Sequence, residues 1–194
     1  MSDTIRPPAP KERRMAENAE RVGLLLVNTG DGKGKSTAAF GMALRAVGHG
    51  QRVAVVQFIK GSRRYGELVT FEKLGVSVVR AGEGFTWEVR SDERQRELAA
   101  WGLERAREAL AVPPAEGGVD LLVLDEVNVA LGKGFLAVDA LLGVLRARHP
   151  DVHVVCTGRY APDALLDAAD LVTRFDLVKH PFERGIRAQP GVEF

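Results

Sequence analysis

The residues with the clearest chemical potential lie in one short stretch, NTGDGKGKSTAA at residues 28–39. It nearly matches the phosphate-binding loop G-x-x-x-x-G-K-[ST], but Thr29 stands where the first glycine is expected. Lys35 offers a positive charge to a phosphate, and Ser36 offers a hydroxyl to a phosphate-bound Mg²⁺. Since an apolar run precedes the stretch and a helical pattern follows it, we predict a binding site for a nucleotide polyphosphate.

A second group of candidate residues is the acidic pair Asp125 and Glu126, which directly follows the apolar run VDLLVL. In open parallel sheets, ligands bind beyond the carboxyl ends of the strands, so this acidic pair is expected near the phosphate loop. We expect one of the two carboxylates to hold Mg²⁺, directly or through water. Arg159 ends the next apolar run, and two interpretations stay open for it: a phosphate contact or a simple surface turn.

Two large aromatic residues, Phe85 and Trp87, lie in the glycine-flanked stretch GEGFTWEVRS. Taken alone, they favour hydrophobic cover for the end of a helix. In the same region of the sheet they would also suit a pocket for a large flat ligand. The residues by themselves leave both interpretations open.

Alternating strands and helices are predicted to position these residues. Apolar runs predict strands at residues 22–28, 52–58, 76–80, 119–126 and 151–158, with a sixth strand or extended segment at 171–178. Helical patterns cover residues 36–48, 66–75, 92–111, 137–149 and 162–169. Continuously apolar strands are expected to be buried on both faces, which predicts an α/β fold with a parallel sheet covered by helices on two sides. In the first helix, we expect the stripe of Phe40, Ala43, Leu44 and Val47 to face the core.

Length and composition fit one globular domain, which we predict over residues 22–194 after an N-terminal arm at residues 1–21 that is partly disordered or helical. The chain has 194 residues, of which 45% are hydrophobic and 27% charged. A net charge of +1 gives no electrostatic argument for nucleic acid or an anionic membrane as partner. Without a signal-peptide core or an apolar run of membrane length, a cytoplasmic protein is expected. The single cysteine, Cys156, is predicted to be a buried strand residue rather than a catalytic thiol.

Several stretches together resemble the P-loop ATP:corrinoid adenosyltransferases, also called cob(I)alamin adenosyltransferases. The matching stretches are TGDGKGKSTAAFGMALRAVGHG, VAVVQFIKG, GEGFTWEV, LLVLDEVN, TGR and LVKHPFERGIRAQPGVEF, and they extend from about Gly23 to the C-terminus. The resemblance implies a RecA-like P-loop α/β fold, mostly a parallel sheet with helices on both faces, and a homodimer.

The resemblance also implies a reaction. The 5′-deoxyadenosyl group of ATP would be transferred to the Co(I) centre of a corrinoid, either cobalamin or a precursor such as cobyrinic acid a,c-diamide, and triphosphate would be released. The phosphate loop would then hold the triphosphate that leaves, instead of presenting a γ-phosphate for attack. The implied substrates are ATP with Mg²⁺ and the corrinoid, and the implied electron donor is a reduced flavin or a flavodoxin-like protein.

The resemblance assigns roles to residues of this sequence. The residues expected to bind ATP are Asn28, Thr29, Gly30, Asp31, Gly32, Lys33, Gly34, Lys35, Ser36 and Thr37, with Arg159 as a further phosphate contact. Lys35 and Glu126 are the expected catalytic residues. Ser36 and Glu126 are the expected Mg²⁺ ligands, and Asp125 is expected to hold them in place without binding the metal itself. Phe85 and Trp87 would fill the lower axial face of the corrinoid and so make Co(I) accessible, and the N-terminal arm would close over the corrinoid as a lid.

Two other functions remain open on the residues alone. One is a P-loop ATPase or kinase that acts by γ-phosphoryl transfer, and the other is a carrier that binds a nucleotide or corrinoid without turnover. Phosphoryl transfer needs a group that positions the nucleophile, and Glu126 is the one candidate that the sequence offers. The reaction products would distinguish the three possibilities.

Overall fold

The computed structural model describes residues 22–59, 65–82 and 91–193. In this part of the chain the strands are β1 (Leu25–Thr29), β2 (Val53–Phe58), β3 (Ser77–Ala81), β4 (Leu121–Asp125), β5 (His153–Thr157) and β6 (Leu171–Arg174). The α-helices are α1 (Lys35–Gly48), α2 (Gly66–Lys73), α3 (Asp92–Leu110), α4 (Val127–Gly132), α5 (Val138–Arg146) and α6 (Asp163–Ala168). Short 3₁₀ turns occur at Pro114–Glu116 and Pro181–Arg184. The predicted N-terminal arm and the aromatic residues Phe85 and Trp87 lie outside the described residues.

All six strands belong to one parallel sheet, in the order β3-β2-β4-β5-β1-β6. Because every strand runs the same way, the phosphate loop after β1 and the acidic pair at the end of β4 lie at the same edge of the sheet. The strand β5 separates β1 from β4 and brings its own last residues to this edge. The predicted α/β fold, a parallel sheet with helices on both faces, is confirmed.

The core has one layer on each face of the sheet. Alternate residues of neighbouring strands separate the two layers: Val56 and Leu124 pack with residues of α3 and α5, whereas Val55 and Val123 pack with residues of α1 and α2. Each fully buried aliphatic side chain contributes roughly 1.5–3 kcal/mol relative to an exposed one. These two layers hold the strand ends, and therefore the site residues, in fixed positions.

The expectation that every strand is buried on both faces was wrong for two strands, β3 and β6. All four residues of β6 are exposed, and in β3 only Ala81 is fully buried. These are the two edge strands, each paired on one side only within the described sheet. Apolar composition therefore indicated strand structure correctly at the edges but overstated the cover that the helices provide there.

The core stripe of α1 also differs from the expected one. Phe40 and Ala43 are buried as predicted, but Leu44 is 52% exposed, and Ala39 and Ala46 are buried instead. Alanines on the inner face let the helix lie close to the sheet, whereas periodicity of large apolar residues favoured Leu44. The helix is nevertheless positioned as expected, with its first turn at the phosphate loop. None of the helices in the described ranges is long and apolar enough to cross a membrane.

Candidate nucleotide-binding and active site

The phosphate loop depends on glycine at two left-handed backbone positions. Gly30 has φ 96° directly after β1, and Gly34 has φ 108° at the position that begins α1. Residues with a Cβ rarely adopt such angles, so glycine is favoured at both positions. The result is a loop that delivers its backbone to the N-terminus of a 14-residue helix, where N–H groups and the helix dipole favour an anion.

Close packing restricts the same loop from the other side. A Cβ on Gly30 would lie 2.4 Å from the carbonyl oxygen of Phe175, and one on Gly32 would lie 2.5 Å from that of Asp176. Backbone hydrogen bonds join the two segments: the Gly32 N–H donates to Phe175 at 2.8 Å, and the Phe175 N–H donates to Thr29 at 2.8 Å. The displaced glycines of this variant motif are therefore required by contact with the chain that follows β6.

Lys35 is almost completely buried in this loop, with 9% of its surface exposed. Its Nζ donates to the carbonyl oxygen of Gly32 at 2.5 Å. Burial lowers the pKa of Lys35 below its usual value, while the negative charge of Glu126 opposes this shift and the positive charge of Arg159 adds to it. Glu126 and Arg159 are thus near enough to act on Lys35 electrostatically, and the loop and the two neighbouring strand ends form one site.

The acidic pair divides into a buried and a partly exposed member. Asp125 is fully buried, and its carboxylate accepts hydrogen bonds from Gln57 Nε2 at 2.8 Å and from Thr157 Oγ1 at 2.8 Å. Glu126 is partly exposed and has φ 61°, an uncommon backbone angle for a residue with a side chain. Its Oε2 would lie 3.2 Å from a Cβ added to Gly158. The Glu126 carboxylate therefore lies beside Gly158 at the end of β5, whereas Asp125 is enclosed between β2 and β5.

Arg159 lies against the phosphate loop. Its Nη2 donates to the backbone oxygen of Asp31 at 3.2 Å, and its Nε lies 3.8 Å from the Asp31 carboxylate. Half of its side-chain surface is exposed. Of the two interpretations left open by the sequence, this position favours a contact with a ligand of the loop, and the role at a phosphate stays a prediction.

The remaining loop residues separate into supporting and outward-facing ones. Asn28 is buried, and its Nδ2 donates to the backbone oxygen of Lys35 at 3.0 Å. Thr29 Oγ1 accepts from the Ala161 N–H at 3.4 Å. Both side chains therefore act on the protein itself, so any contact they make with ATP is expected from their backbone.

Three further loop residues are available to the solvent side. Ser36 is partly exposed and Thr37 exposed in the first turn of α1. Lys33 forms an ion pair with Glu193 near the C-terminus, so the last part of the chain also reaches the loop. The contact with Glu193 was not foreseen from the sequence.

Sequence reasoning missed three buried polar residues at this edge, namely Gln57, Asn128 and Thr157. Asn128 Nδ2 donates to the backbone oxygens of Asn28 at 3.2 Å and Gly158 at 3.1 Å. The Oδ1 of Asn128 and the Oε1 of Gln57 are buried and have no hydrogen-bond partner among the described residues. Their one sequence signal was a polar residue inside or directly after an apolar run, a position where burial demands a partner.

Cys156 takes no part in this site. It is fully buried in β5, and burial raises the pKa of its thiol to about 12. The protonated thiol is a poor nucleophile at neutral pH. The prediction of a buried strand cysteine is confirmed.

Comparison with known proteins identifies relatives across nearly the whole chain. Residues 21–194 match the family described as ATP:corrinoid adenosyltransferase BtuR/CobO/CobP. A corrinoid adenosyltransferase of Pseudomonas aeruginosa is 48% identical over 94% of this chain and 89% of its own length. A corrinoid adenosyltransferase of Sinorhizobium sp is 44% identical, covering 96% and 87%, and the corrinoid adenosyltransferase CobA of Salmonella typhimurium is 40% identical, covering 94% and 91%.

Two solved structures resemble this chain at low sequence identity. The flagellar accessory protein FlaH from Methanocaldococcus jannaschii aligns with a TM-score of 0.48 and 14% identity, covering 88% of this chain and 78% of that chain. The RadB recombinase aligns with a TM-score of 0.48 and 15% identity, covering 89% and 83%.

Proposed function

Because the chain belongs to the ATP:corrinoid adenosyltransferase BtuR/CobO/CobP family, and is therefore a transferase acting on ATP and a corrinoid, we propose that it forms a cobalt–carbon bond with the release of intact triphosphate. The electron pair of Co(I) attacks the C5′ carbon of ATP. The C5′–O bond breaks, and the triphosphate leaves with that bonding pair. No activated water takes part, so this reaction requires no general base.

The observation that carries this proposal is the position of Lys35, buried at the start of α1 and within electrostatic reach of Glu126. Negative charge increases on the triphosphate oxygens as the C5′–O bond breaks. A buried ammonium group beside backbone N–H groups stabilises that charge more strongly than an exposed one, because little water competes. Lys35 and the loop amides are the groups that we assign to the leaving triphosphate, with Arg159 as an additional cation.

The oxygen atoms at this edge fit a magnesium ion. A partly exposed carboxylate, Glu126, and the Ser36 hydroxyl in the first turn of α1 are the hard ligands that Mg²⁺ takes in nucleotide sites. Bound Mg²⁺ would supply further positive charge to the triphosphate. Asp125 supports this arrangement from beneath through its hydrogen bonds, and we assign it no direct contact with the metal.

The corrinoid side of the reaction rests on Phe85 and Trp87, which lie outside the described residues. We propose that their side chains fill the lower axial face of the corrinoid and exclude a donor ligand from cobalt, which makes reduction to Co(I) easier. Phe85→Ala together with Trp87→Ala should therefore slow the reaction from Co(II) much more than from pre-reduced Co(I). Equal losses from both starting materials would show a packing role only.

A homodimer, a lid formed by residues 1–21, and a reduced flavin or flavodoxin-like electron donor complete the proposal.

Product analysis tests the proposed reaction directly. The protein is incubated without oxygen with ATP, Mg²⁺, a chemical reductant and cob(II)alamin, and the mixture is separated by chromatography. Equal amounts of triphosphate and a light-sensitive alkylcobalamin are expected. ADP with phosphate would instead indicate phosphoryl transfer, and tight binding without turnover would indicate a carrier.

A further inference from the structure

The hydroxyl of Thr157 lies at the centre of a buried hydrogen-bond network that joins three strand ends. We call Gln57, Asp125, Glu126 and Thr157 the acid-edge network. Thr157 Oγ1 donates to Asp125 Oδ1 at 2.8 Å and accepts from the Glu126 N–H at 3.0 Å. Thr157 is fully buried at the end of β5, the strand between the phosphate-loop strand and the acidic strand. One hydroxyl thus contacts both members of the acidic pair.

The hydrogen bond from the Glu126 N–H to Thr157 helps to hold Glu126 in an unusual backbone conformation. Glu126 has φ 61°, a backbone conformation that costs roughly 1–3 kcal/mol for a residue with a side chain. Such a conformation persists only where its surroundings hold it. The hydrogen bond to Thr157 satisfies the Glu126 N–H in this conformation, and the conformation in turn sets the direction in which the Glu126 side chain leaves the strand end.

The same end of β5 is tied to the phosphate loop. The N–H of Gly158, the next residue, donates to the Asn28 backbone oxygen at 3.2 Å, and Asn28 Nδ2 donates to the Lys35 oxygen at 3.0 Å. Asn128 Nδ2 donates to the backbone oxygens of both Asn28 and Gly158 and so links the two residues. A continuous set of buried hydrogen bonds therefore fixes the end of β5 relative to Lys35.

We propose that Thr157 is a positioning residue: its hydroxyl fixes the Glu126 carboxylate in the orientation in which it holds metal-bound triphosphate opposite Lys35. This inference rests on the proposed function, because it takes Glu126 as a metal ligand. A residue that orients a metal ligand typically changes metal affinity by about 10–100-fold when it is replaced. Thr157 touches neither substrate in this scheme and acts through Glu126.

The test compares Thr157→Val, which keeps the shape and removes the hydroxyl, with Thr157→Ser, which keeps the hydroxyl. Binding of Mn²⁺ in the presence of ATP is measured by electron paramagnetic resonance, binding of ATP alone by calorimetry, and turnover by triphosphate release. We expect Thr157→Val to weaken Mn²⁺ binding by about tenfold and to lower kcat, with affinity for metal-free ATP unchanged. Thr157→Ser should restore both values to within about twofold of the original protein, since its hydroxyl makes the same hydrogen bonds.

Thr70→Val is the matched control, because it makes the same exchange on the exposed surface of α2, away from the site. It should change none of the three measurements. Unchanged Mn²⁺ affinity in a folded Thr157→Val protein would overturn the inference. Should Thr157→Val fail to fold, Thr157→Cys replaces it: a thiol is a weak hydrogen-bonding group, so Mn²⁺ affinity below that of Thr157→Ser supports the inference, and equal affinity overturns it.

Glu126→Gln separates this inference from the function on which it rests. Loss of Mn²⁺ binding in Glu126→Gln together with normal binding in Thr157→Val would overturn the positioning role alone. Normal Mn²⁺ binding in Glu126→Gln would overturn the assignment of the metal to Glu126, and with it the role of Thr157.

Discussion

The phosphate loop and the acid-edge network occupy the same edge of the sheet but are constructed in different ways. The loop is one continuous segment, residues 28–37, and the ligand-binding groups that we propose for it are mainly backbone N–H groups and the Lys35 ammonium group. The acid-edge network takes side chains from the ends of β2, β4 and β5, and its members contact one another through buried hydrogen bonds. Glycine conformation determines the first region, and strand order determines the second.

This difference predicts how each region responds to substitution. We propose that the buried charge of Lys35 serves a ligand, and burial of that charge lowers its pKa and so disfavours the folded protein. Asp125 is a buried carboxyl group whose oxygens accept hydrogen bonds from Gln57 and Thr157, so the fold itself depends on it. A buried polar group that loses its partner costs roughly 1–3 kcal/mol. Substitution of Lys35 should therefore reduce function without loss of stability, and substitution of Asp125 should reduce both.

The largest expected effect is the loss of turnover in Lys35→Ala. Removal of one group that stabilises developing negative charge typically lowers kcat by about 10²–10³-fold, and the charge removed here is a full one. The rate of triphosphate release is the measurement. Lys73→Ala is the control, because Lys73 is an exposed lysine in the last turn of α2 and has no assigned role at the loop. If Lys35→Ala kept an activity near that of the original protein, the loop would have no role in the reaction.

The two regions also differ in what the sequence reveals. The loop was predictable because its signals are local: glycines, Lys35 and the flanking apolar run are contiguous. The partners of Asp125 were not predictable, because they depend on which strands are neighbours. Gln57 lies opposite Asp125 in the β2–β4 register, and Thr157 reaches it from β5. A single sequence contains the polar residues but not the strand order that brings them together.

The second prediction compares stability and expects opposite signs in the two regions. Asp125→Asn places an amide where Gln57 and Thr157 both donate, so the free energy of unfolding should fall by about 1–3 kcal/mol. Lys35→Met removes a buried charge and keeps an apolar side chain of similar length, so the apoprotein should gain about 1 kcal/mol. In a chain of this size, 1 kcal/mol corresponds to about 2–4 °C in Tm. Thermal unfolding without ligand measures both, and equal losses in the two variants would contradict the comparison.

The third prediction concerns the pH dependence of the loop. Burial lowers the pKa of Lys35 below its usual value of 10.5. At neutral pH the buried charge therefore destabilises the folded protein. This destabilisation disappears as pH rises through the lowered pKa towards 10.5, because the buried ammonium group then loses its proton. Triphosphate favours the charged form and should raise this pKa again. The alkaline decline of kcat/KM, which reports the free protein, should therefore begin at lower pH than that of kcat. Coincident declines in the two profiles would show that the charge of Lys35 is insensitive to the ligand.

The smallest expected effect comes from the contact between the loop and the C-terminal segment. The carboxylate of Glu193 pairs with Lys33, and it would compete with triphosphate for the same ammonium group if Lys33 binds ATP as we expect. Lys33 is about half exposed, so this ion pair is weak and contributes at most about 1 kcal/mol. Glu193→Gln should therefore increase ATP affinity by about two- to fivefold at low salt, and the increase should shrink at high salt because exposed charges are screened. Calorimetry at two salt concentrations measures the change. A decrease in affinity would mean that Glu193 supports the bound nucleotide, for example by holding Lys33 in place, and that the C-terminal segment belongs to the site as firmly as the loop does.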